Sequence, residues 1–243
     1  MENVIRIESR WSDHGLDWFQ AEFASLANLV FGPFVTTGYC KAMFDNNIHG
    51  PSLITVAYVD GQPAGVDVMW RNDLNGVEAY QTVNTCVLEP YRGMGLFKKM
   101  THYELELLGN DTLVYGFPNA NSYPGYVKMG WHVGLLHAAL FSRNKCTDVD
   151  GAYATWWLQA QKGITYIRRQ GDCYLIRKKS NRPLAVVIGR VDDAVARLFP
   201  KHIGPCLLKC FETKSSSYNK NKTIPFVCNQ PQMEIPYWKI DAI

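Results

Sequence analysis

The stretch Val87-Leu88-Glu89-Pro90-Tyr91-Arg92-Gly93-Met94-Gly95-Leu96-Phe97-Lys98-Lys99-Met100 decides how this chain is read. It joins the end of a β-rich run to an amphipathic run through two glycines. A strand, a tight glycine turn and the first turn of a helix aim successive backbone N–H groups at one spot, where an anion can bind. A pyrophosphate is the expected anion. Two familiar glycine-turn readings fail on the residues. A dinucleotide fold needs Gly-x-Gly-x-x-Gly after the first strand of a βαβ unit, with an acidic residue further on. Here the turn follows a fourth strand, the third glycine is missing, and no acidic residue falls at the right distance. A Walker loop needs Gly-Lys-Ser/Thr, which is absent.

Upstream of the turn, Val4 to Ile7 reads as a strand, Leu16 to Phe31 as a helix and Thr37 to Phe44 as a second helix. Ser52 to Val59 and Ala64 to Trp70 read as strands joined by the turn Asp60-Gly61, and Asn75-Gly76 leads into a long strand, Val77 to Leu88. Downstream, Leu96 to Leu108 reads as a helix with Leu96, Met100, Tyr103 and Leu107 on one face. A strand from Thr112 to Phe117, a helix in the second half of Asn119 to Met129, and a strand from Trp131 to Phe141 follow. Hairpin-joined strands and then a strand–helix–strand crossover predict an α/β fold with a mixed sheet.

Arg143 to Gly151 reads as a linker, which gives a first domain over residues 1–142, a linker over 143–152 and a second α/β domain over 153–243. In the second domain Tyr153 to Gln161 and Val191 to Phe199 are expected helices. Ile164 to Arg169, Tyr174 to Arg177, Ala185 to Ile188 and Leu207 to Phe211 are expected strands, and Lys214 to Lys222 a polar loop. One reading makes this tail a degenerate second copy of the first sheet. Others make it a cover over the acceptor side of the cleft or a homodimer interface.

Composition narrows the class. Of 243 residues, 47% are hydrophobic and 19% charged, which argues against disorder. A net charge of +3 gives no case for nucleic acid as a partner. No apolar run approaches the ~18 residues of a membrane span, and Met1-Glu2-Asn3-Val4-Ile5-Arg6 lacks the pattern of a signal peptide. The seven cysteines form no Cys-x-x-Cys pair and no zinc spacing, so no metal is expected. Reduced thiols and a cytoplasmic location follow.

A second segment gives the first its meaning. Asn119-Ala120-Asn121-Ser122-Tyr123-Pro124-Gly125-Tyr126-Val127-Lys128-Met129-Gly130-Trp131 resembles the Asn-x-x-Ala/Ser-x-x-x-Tyr-x-x-x-Gly-Phe pattern of the GNAT superfamily of acyl-CoA-dependent N-acyltransferases. Asn119, Ser122, Tyr126, Gly130 and Trp131 fall on its marked positions. Arg92 to Phe97 resembles the same superfamily's pyrophosphate signature, Arg/Gln-x-x-Gly-x-Gly/Ala. Two departures stand out: Phe97 occupies the last small position, and Pro124-Gly125 is inserted just before Tyr126. The resemblance covers roughly residues 1–142.

The resemblance implies a GNAT-like fold and an acetyl-CoA-dependent transfer of an acetyl group to a small-molecule primary amine. It implies that backbone groups near Cys86, Val87 and Leu88 bind the pantetheine and thioester. The N–H groups of Arg92, Gly93, Met94, Gly95, Leu96 and Phe97 would hold the pyrophosphate. Asn119 and Ser122 would line the pantetheine arm, and Tyr126 would donate a proton to the leaving thiolate. Read from the residues alone, Asn119 serves equally as a helix cap. Tyr123 is expected to line the acceptor. Asp67, in the alternation Val66-Asp67-Val68, is expected to face the cleft and touch substrate. The general base stays open among Glu89, Asp67, Glu78, His49, His102 and a water chain. An amino sugar is the first acceptor to consider. Two other readings remain: a non-catalytic CoA-binding module, and a transferase with a carrier-protein or tRNA donor, for which Arg168, Arg169, Arg177, Lys178 and Lys179 are the basic residues.

Overall fold

The first hairpin turn forms as its residues dictate. Asp60 and Gly61 both take positive φ, 49° and 80°, the geometry that suits a two-residue hairpin. The Asp60 side chain accepts from the Val4 N–H at 2.9 Å. From this hairpin the first sheet grows. The computed structural model describes residues 3–13, 17–33, 35–74, 76–109, 111–142, 146–161, 163–178, 184–212 and 219–231. The expected order of elements is found. β1 (Ile5–Trp11), α1 (Asp17–Phe31), α2 (Thr37–Cys40), β2 (Leu53–Val59), β3 (Gln62–Arg71) and β4 (Ala79–Val87) precede the glycine turn. α3 (Leu96–Leu108), β5 (Leu113–Gly116), α4 (Tyr123–Lys128) and β6 (His132–Leu140) follow it. The second expected helix continues beyond α2 only as a π-helical turn over Lys41–Asp45. Asn75 lies outside the described residues, but Leu74 and Val77 on either side exchange backbone hydrogen bonds of 2.9 Å.

The chain forms two units, Met1–Val133 with Phe226–Met233, and Gly134–Pro225 with Glu234–Ile243. The parting lies inside β6 and the first unit recovers a late segment, so it is not the single stretch 1–142 that the sequence suggests. In the first unit β1 to β4 form an antiparallel meander, and β5 lies parallel to β4. The end of β11 (Asn219–Cys228) closes this side, pairing Val227 with Gly116 and Cys228 with Tyr115. Asn229 then holds Val114 and Thr112 through both its backbone and side chain.

Both faces of this sheet are covered, so β2 is buried at every residue and β3 at nearly all. Alternate residues of β3 look to opposite faces. Trp70 donates from its indole to the Met43 carbonyl, on the side of α2. Asp67 meets Thr101 of α3 on the other side.

The second unit contains α5 (Gly151–Tyr153), β7 (Ile164–Arg169), β8 (Asp172–Lys178), β9 (Leu184–Val191), α6 (Asp193–Ala196) and β10 (Leu207–Glu212). The expected helix over Tyr153 to Gln161 is a short α-turn that passes into a π-helical turn at Ala154–Leu158, and that over Val191 to Phe199 is helical only at α6. β7, β8 and β9 are antiparallel, β10 is parallel to β9, and β6 pairs antiparallel with β10. This repeats the order of the first unit: a meander, a helix, then a strand parallel to the last strand of the meander. Its core packs Tyr174, Ile176, Ala185, Val187 and Leu208. The polar loop expected over Lys214 to Lys222 is corrected in part. Residues 213–218 lie outside the described residues, and Asn219 to Lys222 open β11. Among the described residues no helix is long and apolar enough to cross a membrane.

β4 and β5 stay paired only from Ala79↔Leu113 to Thr82↔Gly116. At that last pair the strands must come close. A Cβ built on Gly116 would lie 2.4 Å from Thr82 Cγ2 and 3.4 Å from the Thr82 carbonyl oxygen. Thr82 is β-branched and its hydroxyl is engaged, so it cannot turn aside freely. Gly116→Ala should therefore cost roughly 1–3 kcal/mol of stability by overpacking. A shift of the urea midpoint with an unchanged slope would show it; an unchanged midpoint would refute the close packing.

Candidate active site

Beyond Thr82, β4 and β5 separate. β5 ends at Gly116 and the chain leaves through Phe117 and Pro118, where a proline cannot extend the ladder. β4 continues to Val87 against β3 alone, with no β5 partner among the described residues. A bulge interrupts this free stretch. Val66 pairs with Cys86 and Val68 with Val83, so Asn84 and Thr85 together oppose Asp67. Asn84 takes φ 55°, which asparagine tolerates better than most residues. Its amide donates to Tyr39 Oη at 3.2 Å.

At the far end of β4 stands the glycine turn. Gly93 and Gly95 hold φ 85° and 73°, and α3 begins at Leu96. The first backbone bond into the helix runs from the Lys99 N–H to the Gly95 carbonyl. Among the described residues, no acceptor takes the N–H groups of Gly93, Met94, Gly95, Leu96, Phe97 or Lys98. A run of free N–H groups with the positive end of a helix behind it is suited to a phosphate. Arg92 differs from its neighbours: its N–H donates to the Glu89 carbonyl and its side-chain Nε to the Val87 carbonyl at 3.3 Å. Leu88 is tied back to β3 through the Ala64 carbonyl. Cys86 is buried, and burial pushes its thiol up to about 11, so it is no nucleophile.

Tyr126 stands where the strands part. Its hydroxyl lies 2.7 Å from Thr82 Oγ1, on the last residue of β4 that β5 still holds. The ring is 2% exposed. Helix α4 that carries it ends in a Schellman motif: Gly130, at φ 81°, donates to Val127, and Trp131 donates to Tyr126. Trp131 then packs against Tyr126 with ring centroids 4.7 Å apart. Burial, then the charge of Asp67, pushes the phenol far above its usual range, so it keeps its proton.

The two departures from the family pattern prove to be one feature. Phe97 turns its ring toward α4, 5.0 Å from the Tyr126 ring and edge-on to it. A Cβ built on Gly125 would lie 2.4 Å from Phe97 Cε1 and 2.8 Å from Cδ1. The glycine is the space the phenylalanine fills. Pro124 sits in the first turn of α4, where its missing N–H costs no helical bond.

The remaining residues fall as follows. Asn119 is exposed, and its Oδ1 accepts from the N–H groups of Asn121 and Ser122 in the turn that leads into α4. Ser122 is the N-cap of α4 and Tyr123 its half-buried first residue. Asp67 does not face an open cleft. It is 0% exposed, because α3 covers the face of β3 that it occupies. Its Oδ1 accepts from Thr85 at 2.7 Å, from the Val68 N–H at 2.9 Å and from Thr82 at 3.3 Å. Of the other candidate bases, Glu89 and His102 are exposed. Glu78 and His49 belong to an ion cluster with Arg71 and Asp73 at the opposite end of β3.

The buried partner of Asp67 was not legible in the sequence. Glu104 of α3 is also 0% exposed, and neither carboxylate oxygen has a hydrogen-bond partner within 3.5 Å. Asp67 and Thr55 are its polar neighbours. The buried residues of α3 are Leu96, Met100, Thr101 and Glu104, whereas Tyr103 and Leu107, expected on the buried face, are exposed. Two carboxyls so enclosed cannot both ionise. Asp67, with its donors, carries the charge; Glu104, with none, keeps its proton.

No protein-family model matches this sequence, and no curated protein matches it. Solved structures do. A conserved protein of Enterococcus faecalis V583, described as a probable N-acyltransferase, superposes with a TM-score of 0.59 at 12% identity, over 98% of this chain and 74% of that one. A GCN5-related N-acetyltransferase from Kribbella flavida gives 0.53 at 9% identity, over 91% and 71%. Eis1 from Mycobacterium abscessus gives 0.51 at 10% identity, over 85% and 65%. At such identities the likeness is one of fold. The chain has the fold of the GNAT N-acetyltransferases, and the likeness is not confined to residues 1–142.

Burial, then the charge of Asp67, raises Glu104 well above the usual carboxylate range. In the unfolded chain it ionises near about 4.3. The native state then binds the proton more tightly than the unfolded state. The stability this gives is full below the unfolded value and falls as pH climbs toward the folded one. Glu104→Gln cannot ionise and can donate to Asp67. Its stability relative to wild type should rise with pH across that window, read from denaturation curves at a series of pH values. A difference independent of pH would show that Glu104 is not held neutral.

Proposed function

We propose that this protein is an N-acetyltransferase that moves the acetyl group of acetyl-CoA to a primary amine. The observation that carries the reading is the run of free N–H groups from Gly93 to Lys98, at the end of the strand whose fork holds Tyr126. The pyrophosphate of the donor lies against those groups, and the pantetheine enters between β4 and β5. The amine nitrogen attacks the thioester carbonyl carbon and the C–S bond breaks, leaving its electron pair on sulfur. The Tyr126 phenol gives its proton to that sulfur. The proton shed by the amine passes to water, from which the phenol is restored.

The acceptor we favour is an amino sugar, with other small amines next. The support is the pair Asn84 and Tyr39, half-buried on the α2 side of the bulge. These are neutral hydrogen-bonding groups, suited to a hydroxyl-bearing amine. The family departures that would favour a non-catalytic module lose their force, because Phe97 points at Gly125 and leaves its own N–H in the turn.

Calorimetry should detect acetyl-CoA binding, and free thiol should appear when amine acceptors are added. Tyr126→Phe should bind acetyl-CoA as wild type does and lose about a hundredfold or more in turnover. No heat of binding would sink the acyl-CoA reading; full turnover in Tyr126→Phe would remove the phenol as the acid.

A further inference from the structure

Phe97 belongs to both halves of the site. Its backbone N–H is among the free donors at the head of α3, and its ring is wedged against the helix that carries Tyr126. The ring is held on several sides. Gly125 leaves room for its edge, Tyr126 meets it edge-on, and the cluster of Leu53, Met69, Tyr80, Val114, Trp131 and Val227 backs the pair. The Phe97 carbonyl in turn accepts from the Thr101 hydroxyl at 3.0 Å, one helical turn further on. The Tyr126 hydroxyl is anchored on the threonines of β4, Thr82 at 2.7 Å with Thr85 beside it, and packing sets the rest of the ring. A ring that pivots about that anchor by even a small angle would carry the phenol proton off line from a leaving sulfur.

We propose that Phe97 is a positioning residue for Tyr126: its ring, seated in the void left by Gly125, fixes the phenol at the fork of β4 and β5 and couples that orientation to the anion turn. The proposal rests on the reading of Tyr126 as the acid, and extends it to a residue that makes no contact with the reacting atoms. It also states why a bulky side chain stands where the family pattern has a small one. Phenylalanine at 97 and glycine at 125 are tolerated only as a pair.

The test is a double-mutant cycle with two further readouts. Gly125→Ala in wild type places a methyl group into the Phe97 ring and should lower both the melting temperature and turnover. In a Phe97→Ala background the same change meets no ring. There it should be neutral or raise the melting temperature, since alanine is the better helix former. Phe97→Ala keeps its N–H, so its affinity for CoA should stay within about threefold of wild type, while turnover falls about a hundredfold. Phe97→Leu should recover part of that loss. Fluorotyrosine-labelled protein gives a third readout, with the Tyr126 fluorine resonance assigned by its absence in Tyr126→Phe. That resonance should shift or broaden in Phe97→Ala.

Additive effects in the cycle would overturn the pairing. Equal losses in CoA affinity and turnover, or an unchanged Tyr126 resonance, would overturn the positioning role. If wild type releases no thiol with any amine, the acetyltransferase reading fails, and the cycle and the fluorine spectrum still decide whether Phe97 sets Tyr126.

Discussion

Two carboxyl groups, Asp67 and Glu104, lie inside the first unit with no cation beside them, and the elements around them are arranged to make that tolerable. An uncompensated buried charge is expensive, and burial of a second would be prohibitive. Asp67 is met by hydroxyls of Thr82 and Thr85 from β4 and by its own neighbour's N–H from β3. The Thr85 hydroxyl reaches Asp67 because β4 carries a bulge, which sets Asn84 and Thr85 together against one residue of β3. The bulge lies on the stretch of β4 that β5 has left. The polar core and the open fork are therefore linked through the strand: the stretch of β4 that supplies donors to Asp67 also forms one side of the fork.

The hydroxyl of Thr82 is where this core meets the site. It lies within reach of Asp67 Oδ1 at 3.3 Å and of Tyr126 Oη at 2.7 Å. The shorter contact is the stronger one by distance. Thr85, at 2.7 Å, is the closer donor to Asp67. A threonine hydroxyl has one proton, and with Thr82 and Thr85 both donating to Asp67 the 2.7 Å contact is made by the Tyr126 phenol donating to Thr82 Oγ1. The anion turn, the fork and the phenol are then three consequences of how one strand, β4, is held along its length.

Much of the first unit was legible because its signals are local. Turn chemistry at Asp60-Gly61, helical spacing over Leu96 to Leu108, and glycines at 93 and 95 each act through neighbouring residues, and each forms where expected. What was not legible depends on contacts between distant segments. The alternation Val66-Asp67-Val68 suggested an open face, but α3 covers it, a fact no strand period encodes. The face of α3 was misjudged by the same route: apolar Tyr103 and Leu107 drew attention, while Glu104 looked like an exposed acid. Its place four residues beyond Met100 on the buried stripe was the available signal. β11 went unseen because its first half is charged and polar and Pro225 interrupts it, yet Val227 and Cys228 complete the sheet beside β5.

Phe97 and Gly125 show why a motif is better read as geometry than as a string. Taken singly, each residue weakens the resemblance: one is too large for its position, the other unsettles a short helix. The small residue of the family pattern leaves space on the helix side of the turn, and a phenylalanine needs that space and more. The further room comes from a glycine twenty-eight positions later, where a Cβ would lie 2.4 Å from the ring edge. The absent side chain at 125 leaves the space that the edge of the Phe97 ring occupies, so the pair packs without a clash. The exchange leaves the backbone N–H groups of the turn where they were and adds a rigid contact between that turn and Tyr126. A chain that departs from its pattern at two matched places has kept the free N–H groups of the turn and braced them differently against Tyr126.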